Sequence, residues 1–124
     1  DGSTAEGERE LRRSLATRRA VLGGDHPEVA MSLFTLGDLS RRRGDRAAAE
    51  AHYREALSIR LQRFGAAHPQ TAVAQVALGE VLIDRGAGAE ADPLVRGALA
   101  VLRKAFSATH VDVVRAEPAV ARLR

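Results

Sequence analysis

Residues 26–44 read HPEVAMSLFTLGDLSRRRG, and residues 68–86 read HPQTAVAQVALGEVLIDRG. Both stretches open on a His-Pro pair, His26-Pro27 and His68-Pro69, and both close on a glycine, Gly44 and Gly86. Leu36-Gly37 in the first falls where Leu78-Gly79 falls in the second, with no gap. Working outward, the same spacing of 42 carries His68 to His110 and Gly44 back to Gly2. It also links Ala5, Ala47 and Ala89; Glu8, Glu50 and Asp92; Arg12, Arg54 and Arg96; Leu15, Leu57 and Leu99; and Phe64 with Phe106. A gapless period of this length marks stacked supersecondary units, none of which can bury its apolar face alone.

Each unit reads as two amphipathic helices. In 27–43, Val29, Ala30, Leu33, Leu36, Gly37 and Leu39 recur at steps of three and four, which is one buried helical stripe. Asp25 or His26 serves as N-cap, Pro27 occupies the first turn where a missing N–H costs nothing, and Glu28 faces the positive end of the dipole. Arg41, Arg42 and Arg43 close the helix at its negative end, and Gly44 supplies a left-handed stop. The second helix, about 46–64, carries Ala49, Tyr53, Ala56, Leu57, Arg60 and Leu61, and its small residues permit a close crossing with the first. A turn this short makes the pair an antiparallel hairpin.

Extended along the chain, the frame predicts a lone second-type helix at 4–22, hairpins at 27–64 and 69–106, and a final first-type helix from 111, all in one domain of residues 1–124. Pro93 is expected near the start of its helix, among N–H groups that have no intrahelical acceptor. Pro118 is expected to kink, restart or fray the last helix at Glu117-Pro118, because an interior proline costs ~3 kcal/mol.

Composition narrows the function classes. With no cysteine, neither a disulfide framework nor a thiolate metal site is available, which fits a reducing, cytoplasmic setting. No apolar run reaches the ~18 residues of a membrane span, and no signal peptide opens the chain. The first residue is Asp1 and not Met, so the chain reads as an excerpt of a longer protein. Nineteen basic residues against sixteen acidic leave a net charge of +3, too small to argue for an acidic partner. The basic clusters Arg12-Arg13, Arg18-Arg19 and Arg41-Arg42-Arg43 read as solvated faces and helix ends; with three Phe and one Tyr, the aromatics that would stack bases are missing. No nucleic-acid or membrane partner is expected.

The order Leu33, Leu36-Gly37, Ser40, Gly44, Ala49, Tyr53 and Ala56 resembles the tetratricopeptide repeat, with Leu33 in place of the usual Trp and Ser40 in place of the usual Tyr. The 42-residue period, the stretch Gly24-Asp25-His26-Pro27-Glu28-Val29-Ala30 and the run from Ala49 to Arg60 are similar to kinesin light chain-type repeats, which are also common in bacterial multidomain proteins. The resemblance implies an all-α fold, a right-handed superhelix of antiparallel helix hairpins (a tetratricopeptide-type α-solenoid) that serves as a protein-interaction scaffold without enzymatic activity or cofactor. Such repeats usually carry two adjacent Asn in the first helix to hold a peptide backbone. Here those positions are Phe34-Thr35 and Val76-Ala77, so amide capture is not expected.

The family's groove-facing pattern, carried onto this chain, gives Met31, Phe34, Asp38, Arg41 and Arg42 from one unit, Val73, Val76, Glu80, Ile83 and Asp84 from the next, and Arg115 from the third. An apolar floor edged with both charges suits a peptide or protein segment with hydrophobic anchors. The competing reading makes Met31 and Phe34 packing residues. A second functional reading is a structural array that self-associates through its end helices, with Leu11, Leu15 and Leu22 as the exposed stripe of the unpaired helix at 4–22. His26, His68 and His110 do not read as metal ligands: first helices stack ~10 Å apart, whereas ligands lie within ~2 Å of their ion. Their place before each first helix gives them a repeat-turn role. Gly23-Gly24 and Gly86-Ala87-Gly88 punctuate helix ends and follow no strand, so no phosphate loop is present.

Overall fold

The computed structural model describes residues 2–123, with side chains from residue 5 onward. These residues form six helices and no strand: α1 (Gly2–Leu22), α2 (Pro27–Arg42), α3 (Arg46–Phe64), α4 (Pro69–Asp84), α5 (Gly88–Ala105) and α6 (Val111–Ala121). They divide into two compact units, Asp1–Arg63 and Phe64–Arg124.

The turns show why the period exists. The first helices α2, α4 and α6 all start on a histidine whose backbone is still extended. Its Nδ1 accepts the N–H two residues on, at 3.1 Å from Glu28, Gln70 and Asp112 in turn. Each bond satisfies one of the orphan donors at a helix start. The ring is held as well: Phe64 stacks on His68 at 4.4 Å between centroids, and Phe106 on His110 at 3.8 Å. Leu22 stands at the equivalent place before His26.

Gly23, Gly44, Gly65 and Gly86 all adopt positive φ, between 84° and 96°, where an L side chain is strained. The next position in the series is Ser107. Without the glycine the exit changes: α5 stops at Ala105 and Phe106 turns extended (φ −133°, ψ 164°), whereas the equivalent Phe64 is still helical.

The second helices are capped unequally. Asp45 Oδ1 accepts the Ala48 N–H at 3.0 Å at the start of α3, while Ala87, its counterpart before α5, offers no side-chain cap. A cap of this type is worth ~1 kcal/mol. Asp45→Ala should therefore lower stability by ~1 kcal/mol and Ala87→Asp raise it by a similar amount. Urea denaturation followed by circular dichroism measures both; equal behaviour of the two variants would refute the assignment.

In the first unit, the core is Leu15, Val29, Ala30, Leu33, Leu36, Ala56 and Ile59, with Leu11 and Phe34 packed at its edge. Gly37 sets the spacing of α2 against α3: a Cβ there would lie 2.5 Å from Tyr53 Cε1, and the Tyr53 ring is fully buried. In the second unit, Ala72, Val76, Ala98, Leu99, Leu102, Val113 and Ala116 form the core across α4, α5 and α6. Gly79 repeats the close approach, with Val95 in the place of Tyr53. A core built on Ala and Gly explains how a chain with so few aromatic residues closes its hairpins.

Three sequence expectations are corrected. α6 runs through Pro118 to Ala121 without a break. Proline removes the bond to the carbonyl four residues back, that of Val114, yet the helix continues past it. Pro93 is the sixth residue of α5, past the groups that lack acceptors; the helix continues across it. Leu15 is buried in the first core and Leu11 packs against that core, because α1 lays this stripe on α2. Of the expected exposed stripe only Leu22 faces solvent, beside the more exposed Val21.

Candidate functional site

The candidate binding residues of the first unit lie on α2. Met31 is 55% exposed, and Arg42 is also exposed. Phe34, one turn on, is half-buried: its ring meets Tyr53 at 5.4 Å and a 56° tilt, and the Arg60 guanidinium stands 5.1 Å from its centroid. Burial pulls the Arg60 guanidinium below its ordinary value. Asp38 is half-buried and accepts the Tyr53 hydroxyl. Arg41 is half-buried near the helix end. Phe34 is thus a packing residue with one open edge, and Met31 is the freely exposed apolar member.

In the second unit one residue of the predicted floor is buried. Val76 is 2% exposed and belongs to the core, covered by residues of α5 and α6. Val73 packs at the edge of the same core, and Ile83 is half-buried. The charges pair within the unit: Arg115 donates to Glu80 at 3.1 Å, and Arg122 to Asp84 at 2.8 Å. Both bonds tie α6 to α4, and they hold the carboxylates that were expected to meet a ligand. In both pairs the arginine is partly exposed and the carboxylate largely covered.

Two features escaped the sequence reading. Glu8, almost fully buried on α1, accepts Arg12 Nη2 at 3.2 Å and Arg43 Nη1 at 2.6 Å, joining α1 to the end of α2. Its periodic partners Glu50 and Asp92 keep the local pairing, with Arg54 and Arg96. The recurrence at 42 was the available signal. His52, off the histidine series, is the other. Burial pushes its imidazole below the ordinary value, Arg12 adds to the effect, and Glu55 and Glu8 oppose it.

The three repeat histidines hold helix starts through Nδ1, as described above. Among the described residues no group of three His, Cys, Asp or Glu could hold a metal ion, and no helix is long and apolar enough to cross a membrane.

Family models described as tetratricopeptide repeat match residues 1–62 and 71–112. The chain belongs to the tetratricopeptide repeat family. Among solved structures it resembles nearly identical TPR-like repeats of a Podosopora anserina protein assigned as a kinesin light chain. A form of that protein with one residue substituted aligns with a TM-score of 0.76 at 20% identity, covering 98% of this chain and 57% of the other. A second structure of those repeats aligns with a TM-score of 0.74 at 20% identity, covering 98% and 58%. This tetratricopeptide chain thus has the all-α helical-repeat solenoid fold. It spans less than two thirds of the length of either neighbour. No curated protein matches it.

Proposed function

We propose that this chain is the interaction part of a larger protein and holds a protein or peptide segment on the solvent-facing side of its first helices. Tetratricopeptide repeats generally mediate protein–protein interaction. The observation that carries the finer reading is α2: an exposed Met31 stands one turn from the open edge of Phe34, and the helix ends in Arg41 and Arg42 with Asp38 beside them. Methionine adapts its shape to an apolar anchor, and flanking charges of both signs orient the segment that carries it. Val76 drops out of the binding surface, and Glu80, Asp84 and Arg115 contribute through their paired heads. No cofactor, nucleic acid or membrane enters this reading, and the chain itself carries no catalysis.

The test is a random-peptide library selected on the purified chain beside Met31→Asp. Because Met31 is exposed, the variant should keep its helicity. Peptides enriched on the wild type and lost on the variant are the expected result. Equal enrichment on both, or none on either, would remove α2 as the binding surface.

A further inference from the structure

In the first unit the turn before α2 and the end of α3 are bridged: Arg63 Nε donates to the Asp25 carbonyl at 3.2 Å. The 42-residue frame puts Ala105 and Ala67 at those two places in the second unit, so the bridging guanidinium is missing and the side chain of the turn is shorter. Ala100 and Val101 likewise replace Ser58 and Ile59. All four exchanges shorten a side chain, and an open cleft of about 300 Å³ lies there, lined by Ala67, Ala100, Val101, Lys104 and Ala105. Both walls come from one hairpin, Ala67 from the turn before α4 and the rest from α5. The matching residues Asp25, Ser58 and Arg63 are exposed in a hairpin that another hairpin follows. The opening therefore comes from the small side chains of the cleft and not from where the sequence stops.

The lining is aliphatic except for Lys104, the only lysine of the chain. Lys104 is exposed and makes no ion pair or side-chain hydrogen bond among the described residues. Arg103 beside it is held by Glu117 at 2.8 Å, and the other carboxylates of this unit already face Arg85, Arg96, Arg115, Arg122 or His110. From this we infer that the cleft is a binding site for a segment of another protein in which an aliphatic side chain stands next to a carboxylate. The aliphatic group fills the space that Arg63 crosses in the first unit. The carboxylate meets the Lys104 ammonium, a compact point charge on a flexible stem. As at any helix end, the last carbonyls of α5 lack intrahelical donors, and they accept the N–H groups that an extended segment brings. The size of the cleft argues for a protein over a small molecule. It stands at the bottom of the roughly 300–1,000 Å³ range of ligand pockets, and most of its lining is exposed, so it encloses one anchor and not a whole ligand. The cleft belongs to the second unit alone and uses no residue of α2, so it is a site separate from the surface proposed there.

The test is a random-peptide library selected on the purified chain and, in parallel, on three variants: Met31→Asp, Lys104→Glu, and Ala67→Asp combined with Ala105→Arg. The last restores the side chains that the first unit carries at this place. All of these positions are exposed, so circular dichroism should show unchanged helicity. The expected result is a class of peptides with Leu, Ile or Val beside Asp or Glu that survives on Met31→Asp and is lost on the double variant. On Lys104→Glu the acidic neighbour should give way to Lys or Arg. For a synthetic peptide of that class, Lys104→Gln should raise Kd by up to about fivefold, the share of an exposed ion pair. Three results would each overturn the proposal: no class with that pattern of survival and loss, an acidic preference that persists on Lys104→Glu, or octanoate that binds the cleft more tightly than the peptide. The third would make the occupant a small amphiphile.

Discussion

Val76→Asp is expected to unfold residues 64–124, not to yield a folded chain that has lost a ligand. The side chain is 2% exposed among Ala72, Ala98, Leu99, Leu102, Val113 and Ala116, none of which can pair with a carboxylate. An unpaired buried charge belongs to the small class of substitutions that cost about 4 kcal/mol or more. That is a large share of the roughly 5–15 kcal/mol that holds a domain together. Thermal melts by circular dichroism should show the second unit lost well below the wild-type transition, and Val73→Asp, at the half-buried edge of the same core, should cost clearly less. A Val76→Asp chain that melts like the wild type would mean that this side chain is open to solvent.

The reason that Val76 misleads is instructive about which levels a sequence reaches. Its periodic counterpart Phe34 keeps an open edge because Tyr53 and Arg60 hold the large ring at the margin of the core. At the same place in the next unit both partners shrink, to Val76 and Val95, and α6 lies over the position. A periodic pattern says which helix face a residue is on. How deep that face is covered depends on the next helix, which the pattern does not weigh. The same gap hid the burial of Leu15: α2, the helix that follows α1, takes the stripe.

What was legible was local. The helix starts could be read from His26, His68 and His110, and the stops from the glycines, because a cap or a left-handed turn is fixed by a few neighbouring residues. The Nδ1 bonds behind the histidines are geometry that no spacing displays, but the role follows from position alone. Charge pairing was illegible. Glu80 and Asp84 read as groove charges, yet their partners Arg115 and Arg122 sit 35 and 38 residues away, on a helix whose course beyond Pro118 was itself in question. Proline read as a break because propensity counts the lost bond; the structure keeps α6 helical across Pro118 to Ala121.

The contact between Gly37 and Tyr53 should be the most strongly coupled pair in the first unit. Tyr53→Ala empties a fully buried site and leaves Asp38 without its phenol donor, so a loss of about 3–5 kcal/mol is expected. Gly37→Ala places a methyl 2.5 Å from the ring carbon. Overpacking of that kind costs about 1–3 kcal/mol, against ~1 kcal/mol gained from alanine's better helix propensity. The net is a modest loss, because the ring is too well enclosed to move aside. Combining Gly37→Ala with Tyr53→Leu should recover part of the separate losses, since the methyl then fills space the ring has vacated. A coupling of about 1–3 kcal/mol in urea denaturation is the expected signature. Simple additivity would show that α2 and α3 can slide apart to admit a methyl, and the glycine would then owe its place to something other than the tyrosine ring.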